Sequence, residues 1–281
     1  MIVFERIQDI SAYVNEKRKE NLTVGFVPTM GALHAGHISL VDRSVNENDI
    51  TVVSIFVNPI QFNDPEDLKK YPRDLKSDFL LLEKSNVDAV FTPSDREMYP
   101  DEILETYDLG EIATVMEGEF RPGHFNGVAV VVHKLFKIVN PNRAYFGEKD
   151  YQQLQVIKKL VNDYNIDVEI VPCPISRDHD GLALSSRNAR LTEEMRDAAP
   201  FIYRLLVMLK EKSVDPKITG NHLVAIVQNA FSKHPKLELE YFVVADGTTL
   251  KPVNGSLYPN VYGLIAVYAG NIRLIDNIRL I

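Results

Sequence analysis

Thr23–Val45, TVGFVPTMGALHAGHISLVDRSV, runs from strand to helix through a glycine turn. Thr23–Val27 is a short β-rich apolar run. Pro28-Thr29-Met30-Gly31 interrupts it, and Ile38, Val41 and Val45 then recur at helical spacing. The next run, Thr51–Val57 (TVVSIFV), is almost continuously apolar, as suits a parallel strand buried on both faces. A loop containing Pro59, Pro65 and Pro72 leads to a helix over Leu75–Lys84 and a strand over Val87–Phe91. Gly127–Val139 is ambiguous. Its β-branched residues favour a strand, but Val128, Val131, Val132, Leu135 and Val139 form a helical stripe, and its length favours the helix. A strand over Arg143–Phe146, a helix over Asp150–Tyr164 and a strand over Asp167–Val171 continue the alternation. The pattern predicts an α/β fold: a doubly wound parallel sheet of Rossmann-like type.

Pro172-Cys173-Pro174 breaks the rhythm. Beyond it two helical stretches (Thr192–Lys212, Thr219–His234) precede two strands (Leu237–Ala245, Val261–Ala269), which no longer alternate singly with helices. A boundary is expected near residue 175. It would separate a Rossmann-like domain, 1–175, from a smaller C-terminal α+β domain, 176–281.

The bulk composition narrows the function. The 281 residues are 45% hydrophobic and 25% charged, as in an ordinary globular protein, and the formal net charge is −8. That balance argues against a general nucleic-acid binder, which needs a basic face to release counterions. The single cysteine, Cys173, excludes an internal disulfide and any Cys-rich metal site, and suits a reducing, cytoplasmic setting. MIVFERIQDI, with early acidic residues, is not expected to act as a signal peptide. Apolar runs such as Val128–Val132 are too short to span a bilayer. The EKRKE run, Glu16–Glu20, reads as a solvated helix face.

Chemistry concentrates at the strand-to-helix junctions, where open α/β sheets bind ligands. In Pro28–His37, PTMGALHAGH, Gly31 and Gly36 allow close backbone approach, and the following helix start offers free N–H groups to phosphate. His34 and His37 are three apart and face the same way on a helical turn. A single histidine there would more often be a cap or core residue. Two around a glycine favour a ligand site, and a zinc pair lacks a third ligand nearby. Neither G-x-x-x-x-G-K-[ST] nor G-x-G-x-x-G occurs. Gly147-Glu148-Lys149-Asp150 follows another strand and opens another helix, so Lys149 is a candidate for phosphate despite the alternative of a solvated chain end. Leu184-Ser185-Ser186-Arg187-Asn188 offers two hydroxyls and a guanidinium, a weak signal alone. Several such groups are needed, because one helix terminus contributes only about 0.3–1 kcal/mol.

HAGH (His34–His37) resembles the His-x-Gly-His motif of the nucleotidylyltransferase superfamily, and the Ser-Ser-Arg-Asn loop is similar in place to that superfamily's phosphate-gripping second motif. PTMGALHAGH, FVNPIQF, YPRD, RPGHFNGV, FGEKDYQQ and DGLALSSRN, in this order, more narrowly resemble the pantothenate synthetase family. The resemblance implies an ATP-dependent ligase that adenylates pantoate and joins it to β-alanine. It implies that Met30, Gly31, Ala32, Leu33, His34, Ala35, Gly36 and His37 line the ATP site, with His37 as proton donor and His34 as phosphate contact. Gly147, Glu148, Lys149 and Asp150, with Ser176, Leu184, Ser185, Ser186 and Arg187, would also contact ATP, Lys149 and Arg187 through its phosphates. Gln61 and Gln153 would hold pantoate, Gln61 also lying near β-alanine, with Asn58 beside the site. Asp78 matches an acidic residue near Mg²⁺. Leu184 and Ser176 stand where Met and Val are common in the family. A homodimer is implied as well.

Amides such as Gln61 and Gln153 suit this chemistry, because they bind pantoate without quenching its nucleophilic carboxylate. A mixed anhydride needs shelter from water, so a lid is expected, formed by Phe62–Tyr71 or by the C-terminal domain. The rival readings are a nucleotidylyltransferase that stops at AMP transfer, a non-catalytic nucleotide-binding module, and a tRNA-linked synthetase, the last disfavoured by charge and size.

Overall fold

The computed structural model describes residues 1–63, 65–103 and 105–281. The Phe62–Tyr71 segment therefore lies partly outside the described residues. The chain divides into two compact units, one of Met1–Glu148 with Gln152–Pro174, the other of Lys149–Tyr151 with Ile175–Ile281.

In the first unit β1 (Ile2–Phe4), β2 (Val24–Thr29), β3 (Ile50–Ile55), β4 (Ala89–Phe91), β5 (Arg143–Gly147) and β6 (Glu169–Cys173) form one sheet in the order β1-β4-β3-β2-β5-β6. Every pairing is parallel. Side chains alternate across the pleat into two separate cores. Phe26, Val52, Phe91 and Phe146 enter one, packed by the helices Ile7–Lys19 and His124–Val139. Val27, Val53, Val90 and Tyr145 enter the other, with Leu40 and Val41 of the helix Ala35–Glu47 and Leu82 of the helix Leu75–Lys84. A sheet covered on both faces explains the unbroken apolar runs. The ambiguous Gly127–Val139 stretch lies in the helix His124–Val139, which is buried nearly all round.

From β2 the strand order runs outward in both directions, to β3 on one side and β5 on the other. The switch point thus falls between β2 and β5, paired Gly25 to Arg143 and Phe26 to Ala144. The glycine-histidine motif leaves the carboxyl end of β2, and Phe146-Gly147 closes β5 beside it.

The second unit pairs β7 (Leu237–Asp246), β8 (Val261–Ala269) and β9 (Ile272–Arg279) antiparallel. They pack on the helices Phe201–Ser213 and Gly220–Phe231 around their own core, which includes Leu206, Leu209, Leu223, Val244 and Ile265. The fold is therefore a parallel Rossmann-like sheet with a smaller α+β unit, as the sequence pattern predicts. Several elements depart from expectation, among them β1, which the sequence pattern does not mark. The Thr192–Lys212 stretch is two helices, Glu193–Ala198 and Phe201–Ser213, because Pro200 lacks the N–H needed to continue the first. β9 is a strand that the sequence pattern does not mark. Gly270, at φ +59°, turns the chain from β8 into it, and the polar Asp276 and Asn277 sit buried within the strand.

Candidate active site

The glycine loop is built by hydrogen bonds from both sides. Thr29 Oγ1 donates to the Ser54 carbonyl at 2.8 Å and accepts from the Gly31 N–H at 3.2 Å, which turns the chain off β2. Gly31 and Ala32 are both left-handed, at φ +77° and +50°. Gly31 must be glycine on space as well as angle. A Cβ there would lie 2.9 Å from Asp78 Oδ2 and 3.0 Å from Ile55 Cγ2.

Asp78, on the helix Leu75–Lys84, receives the loop's next two amides. Its Oδ2 accepts from the Ala32 N–H at 3.0 Å and its Oδ1 from the Leu33 N–H at 2.7 Å. The side chain is buried, and burial raises its carboxyl above the ordinary range while the two amides pull it down. The residue expected near Mg²⁺ thus has both oxygens engaged by the backbone. Among the described residues no group of three His, Cys, Asp or Glu side chains stands ready to hold a metal.

His34 then caps the helix Ala35–Glu47. Its Nδ1 accepts from the Gly36 N–H at 3.1 Å, and His37 Nδ1 accepts from the His34 N–H at 3.3 Å, a reciprocal capping box. The rings lie 4.1 Å apart. The cap role that the pairing disfavours is therefore filled, but by one nitrogen of each ring. A neutral imidazole that accepts at Nδ1 carries its proton on Nε2, so both histidines hold an N–H donor on the opposite edge.

Asn58 and Gln61 flank the short turn Pro59–Gln61 after β3. Asn58 Nδ2 donates to Gln61 Oε1 at 3.1 Å, and Gln61 Nε2 donates to Met30 Sδ at 2.9 Å. This joins the amide pair to the glycine loop. The two consecutive glutamines of the helix Tyr151–Asp163 differ. Gln152 is buried and spends its amide on the Glu117 N–H and on the Ile112 and Val115 carbonyls, whereas Gln153 is half-buried.

In the second unit, Lys149–Tyr151 is pinned to the antiparallel sheet. Asn277 Nδ2 donates to the Lys149 carbonyl at 3.1 Å, Tyr151 stacks on Tyr262 at 4.2 Å, and the Tyr151 hydroxyl donates to the Gly247 carbonyl. Lys149 Nζ lies 3.8 Å from Asp150 Oδ1. The Ser176–Arg187 segment folds back on itself, with the Leu184 N–H on the Ser176 carbonyl and Arg177 bridged to Ala183. Ser185 Oγ caps the turn Ser186–Arg190 by accepting from the Arg187 N–H. Arg177, unmarked in the sequence, secures this loop. It makes two bonds to buried Asp276 at 2.7 and 2.9 Å, one to the Gly181 carbonyl, and lies 3.8 Å over the Tyr203 ring. Only the fold reveals that partner, 99 residues away.

A family profile described as pantoate-beta-alanine ligase matches residues 2–279. The chain belongs to the pantoate-β-alanine ligase family. It is 51% identical over 280 residues to pantothenate synthetase of Bacteroides fragilis, covering 99% of each chain. It is 48% identical over 278 residues to that of Caldicellulosiruptor saccharolyticus, again covering 99% of each. The crystal structure of pantothenate synthetase from Thermus thermophilus superposes with a TM-score of 0.93 at 40% identity, covering 100% of this chain and 99% of that one. The Francisella tularensis pantoate-beta-alanine ligase, complexed with beta-gamma ATP and beta-alanine, gives a TM-score of 0.82 at 40% identity, covering 100% and 98%. The loop, histidine pair and amide pair described above thus lie within a member of the pantoate-β-alanine ligase family. Among the described residues no helix is long and apolar enough to cross a membrane.

Proposed function

We infer that this chain condenses pantoate with β-alanine at the expense of ATP, through a pantoyl-adenylate, releasing AMP and pyrophosphate. The observation that carries this is the match to the ligase family over residues 2–279. The chemistry requires it to proceed in two steps. A carboxylate cannot lose oxide to an amine, so the pantoate oxygen first attacks the α-phosphorus and pyrophosphate leaves. The amine of β-alanine then attacks the acyl carbon and AMP leaves.

Met30 to His37 would line the ATP site. The left-handed turn at Gly31 and Ala32 supports this by bringing backbone close to a ligand. The Nε2–H groups of His34 and His37 would meet phosphate oxygens, His37 donating a hydrogen bond to the charge that builds as pyrophosphate departs. Both are held by their caps, so little reorganisation accompanies the charge that builds at phosphorus. In the second unit Lys149 and Arg187 would add cationic donors to the phosphates. Gly147, Glu148, Asp150, Ser176, Leu184, Ser185 and Ser186 would contribute the remaining ATP contacts. Gln61, Gln153 and Asn58 would orient pantoate. Their neutrality supports that role, because a cation would hold the carboxylate too tightly to attack.

Asp78 already holds two amides of the loop, which favours a reading in which Mg²⁺ arrives on the triphosphate as part of the substrate. A closing role for the second unit, a homodimer and a cytoplasmic setting complete the reading. A changed protease-cleavage pattern with ATP plus pantoate would support closure, and light scattering would give the assembly.

The deciding experiment incubates the protein with ATP, Mg²⁺ and pantoate, with and without β-alanine, and identifies products by mass. Pantothenate and AMP should appear only when the amine is present. An adenylylated product that accumulates equally with and without β-alanine, with no pantothenate formed, would overturn the ligase reading, and intact ATP in both arms would leave a binding module.

A further inference from the structure

The family-like stretch RPGHFNGV, Arg121–Val128, has no role in the mechanism above, yet it closes around Gln61. Gly127 lies so near the Pro59–Gln61 turn that a Cβ would meet the Ile60 carbonyl oxygen at 2.5 Å and Gln61 Cα at 2.8 Å. His124 Nδ1 lies 2.8 Å from the Gln61 carbonyl, to which it donates. The backbone of Gln61 is therefore seated by one helix.

The side chain of Gln61 is oriented through Asn58, and the logic of donors and acceptors leaves one arrangement. A backbone carbonyl accepts and never donates, so the Asn58 atom 3.1 Å from the Gly127 carbonyl is the amide nitrogen. That same nitrogen's second hydrogen reaches Gln61 Oε1 at 3.1 Å. Gln61 must then turn its own nitrogen outward, toward Met30 of the glycine loop. The remaining Asn58 atom, Oδ1, needs a donor because Asn58 is 1% exposed. Tyr99 supplies it, its hydroxyl donating at 2.8 Å. Burial raises the Tyr99 hydroxyl above its ordinary range, which keeps it protonated and able to donate.

We propose that Tyr99 and the Gly127 carbonyl, acting through Asn58, fix Gln61 with its Nε2–H presented to substrate, so that Tyr99 is a positioning residue for pantoate. The group of pantoate that Gln61 meets is then an acceptor, a carboxylate or hydroxyl oxygen. This inference rests on the reading of Gln61 as a pantoate ligand.

Tyr99→Phe removes only the hydroxyl and keeps a ring to pack on Phe56 and beneath Lys134. It leaves Asn58 Oδ1 buried without a donor. The half-saturating pantoate concentration should rise about tenfold, the scale of one lost buried hydrogen bond. That for ATP should stay within about twofold, as for a residue that acts through one pantoate ligand. Steady-state kinetics on Tyr99→Phe, Gln61→Ala and the double variant, with circular dichroism to confirm folding, separate the possibilities. If Tyr99 acts through Gln61, its effect disappears in the Gln61→Ala background. A Tyr99→Phe effect that persists undiminished there, falls equally on ATP, or is absent overturns the relay. A Gln61→Ala variant with unchanged pantoate dependence overturns the pantoate assignment of Gln61 instead. Where Tyr99→Phe fails to fold, Asn58→Asp provides the second test. An aspartate can donate to neither Gln61 Oε1 nor the Gly127 carbonyl, so pantoate use should fall more than ATP use. Equal loss for both substrates would count against the relay.

Discussion

Asp78 shows how much a single carboxylate can organise. Its two oxygens hold two successive amides of the glycine loop, one residue of which is the left-handed Ala32. Asp78→Asn replaces one acceptor by an NH₂ group and sets donor against donor in a buried place, at about 1–3 kcal/mol. We expect a lower melting temperature and weaker ATP saturation, with the Mg²⁺ requirement unchanged. A selective rise in the Mg²⁺ needed, with loop and stability intact, would instead make Asp78 a metal ligand. Lys149 tests the proposed chemistry more directly. Lys149→Ala should cut pantoate-dependent pyrophosphate release by about 10²–10³-fold, the scale of one lost transition-state donor, without unfolding the protein. A normal rate would remove Lys149 from the phosphate site. The histidines and Gly31 were legible in the sequence because their chemistry is local, within ten residues of a strand end. The clamp was not. Asp78 is 45 and 46 positions from its two partners, and Tyr99 is 41 from Asn58, distances that only tertiary packing closes.

Elements were legible where one face or both had a clear burden of burial. The inner strands of the parallel sheet, β2 to β5, read correctly because both of their faces feed a core, whereas the largely exposed edge strand β1 did not, and the helix His124–Val139 read correctly because its length exceeds that of a strand. β9 escaped because buried Asp276 breaks its apolar pattern, and the cation that pairs with that residue, Arg177, comes from a distant loop. Close packing at Gly127 sets the approach of the helix His124–Val139 to the Pro59–Gln61 turn. Gly127→Ala forces a methyl against backbone, which cannot swing aside as a side-chain tip can. It should cost about 1–3 kcal/mol of stability by overpacking. Because the displaced atoms belong to Ile60 and Gln61, pantoate saturation should weaken beyond what the stability loss explains. Denaturant unfolding alongside pantoate titration checks this. Stability lost with pantoate affinity intact would show that the turn adjusts without moving the Gln61 amide.

At the scale of the whole chain, the two units have separate cores. Among the described residues, the side chains clustered around Leu206 and Leu223 share no member with the two clusters that flank the parallel sheet. Leu206 is fully buried in the middle of the helix Phe201–Ser213. Leu206→Ala should therefore cost about 2–5 kcal/mol in that unit. This is a large share of the roughly 5–15 kcal/mol that holds a typical domain. Hydrogen exchange followed by mass spectrometry should show β7, β8 and β9 losing protection while β2, β3 and β5 keep theirs. Equal loss in both sheets would mean that the chain unfolds as one cooperative body. The substitution should also reach the chemistry. Lys149–Tyr151 belongs to the second unit and is held there by Tyr262, Gly247 and Asn277, so loosening that core frees the segment that carries Lys149. Pyrophosphate release should then fall as temperature rises, well before the parallel sheet melts. The glycine loop, Asp78 and the histidine caps remain intact in this variant, so the loss would trace to the second unit alone.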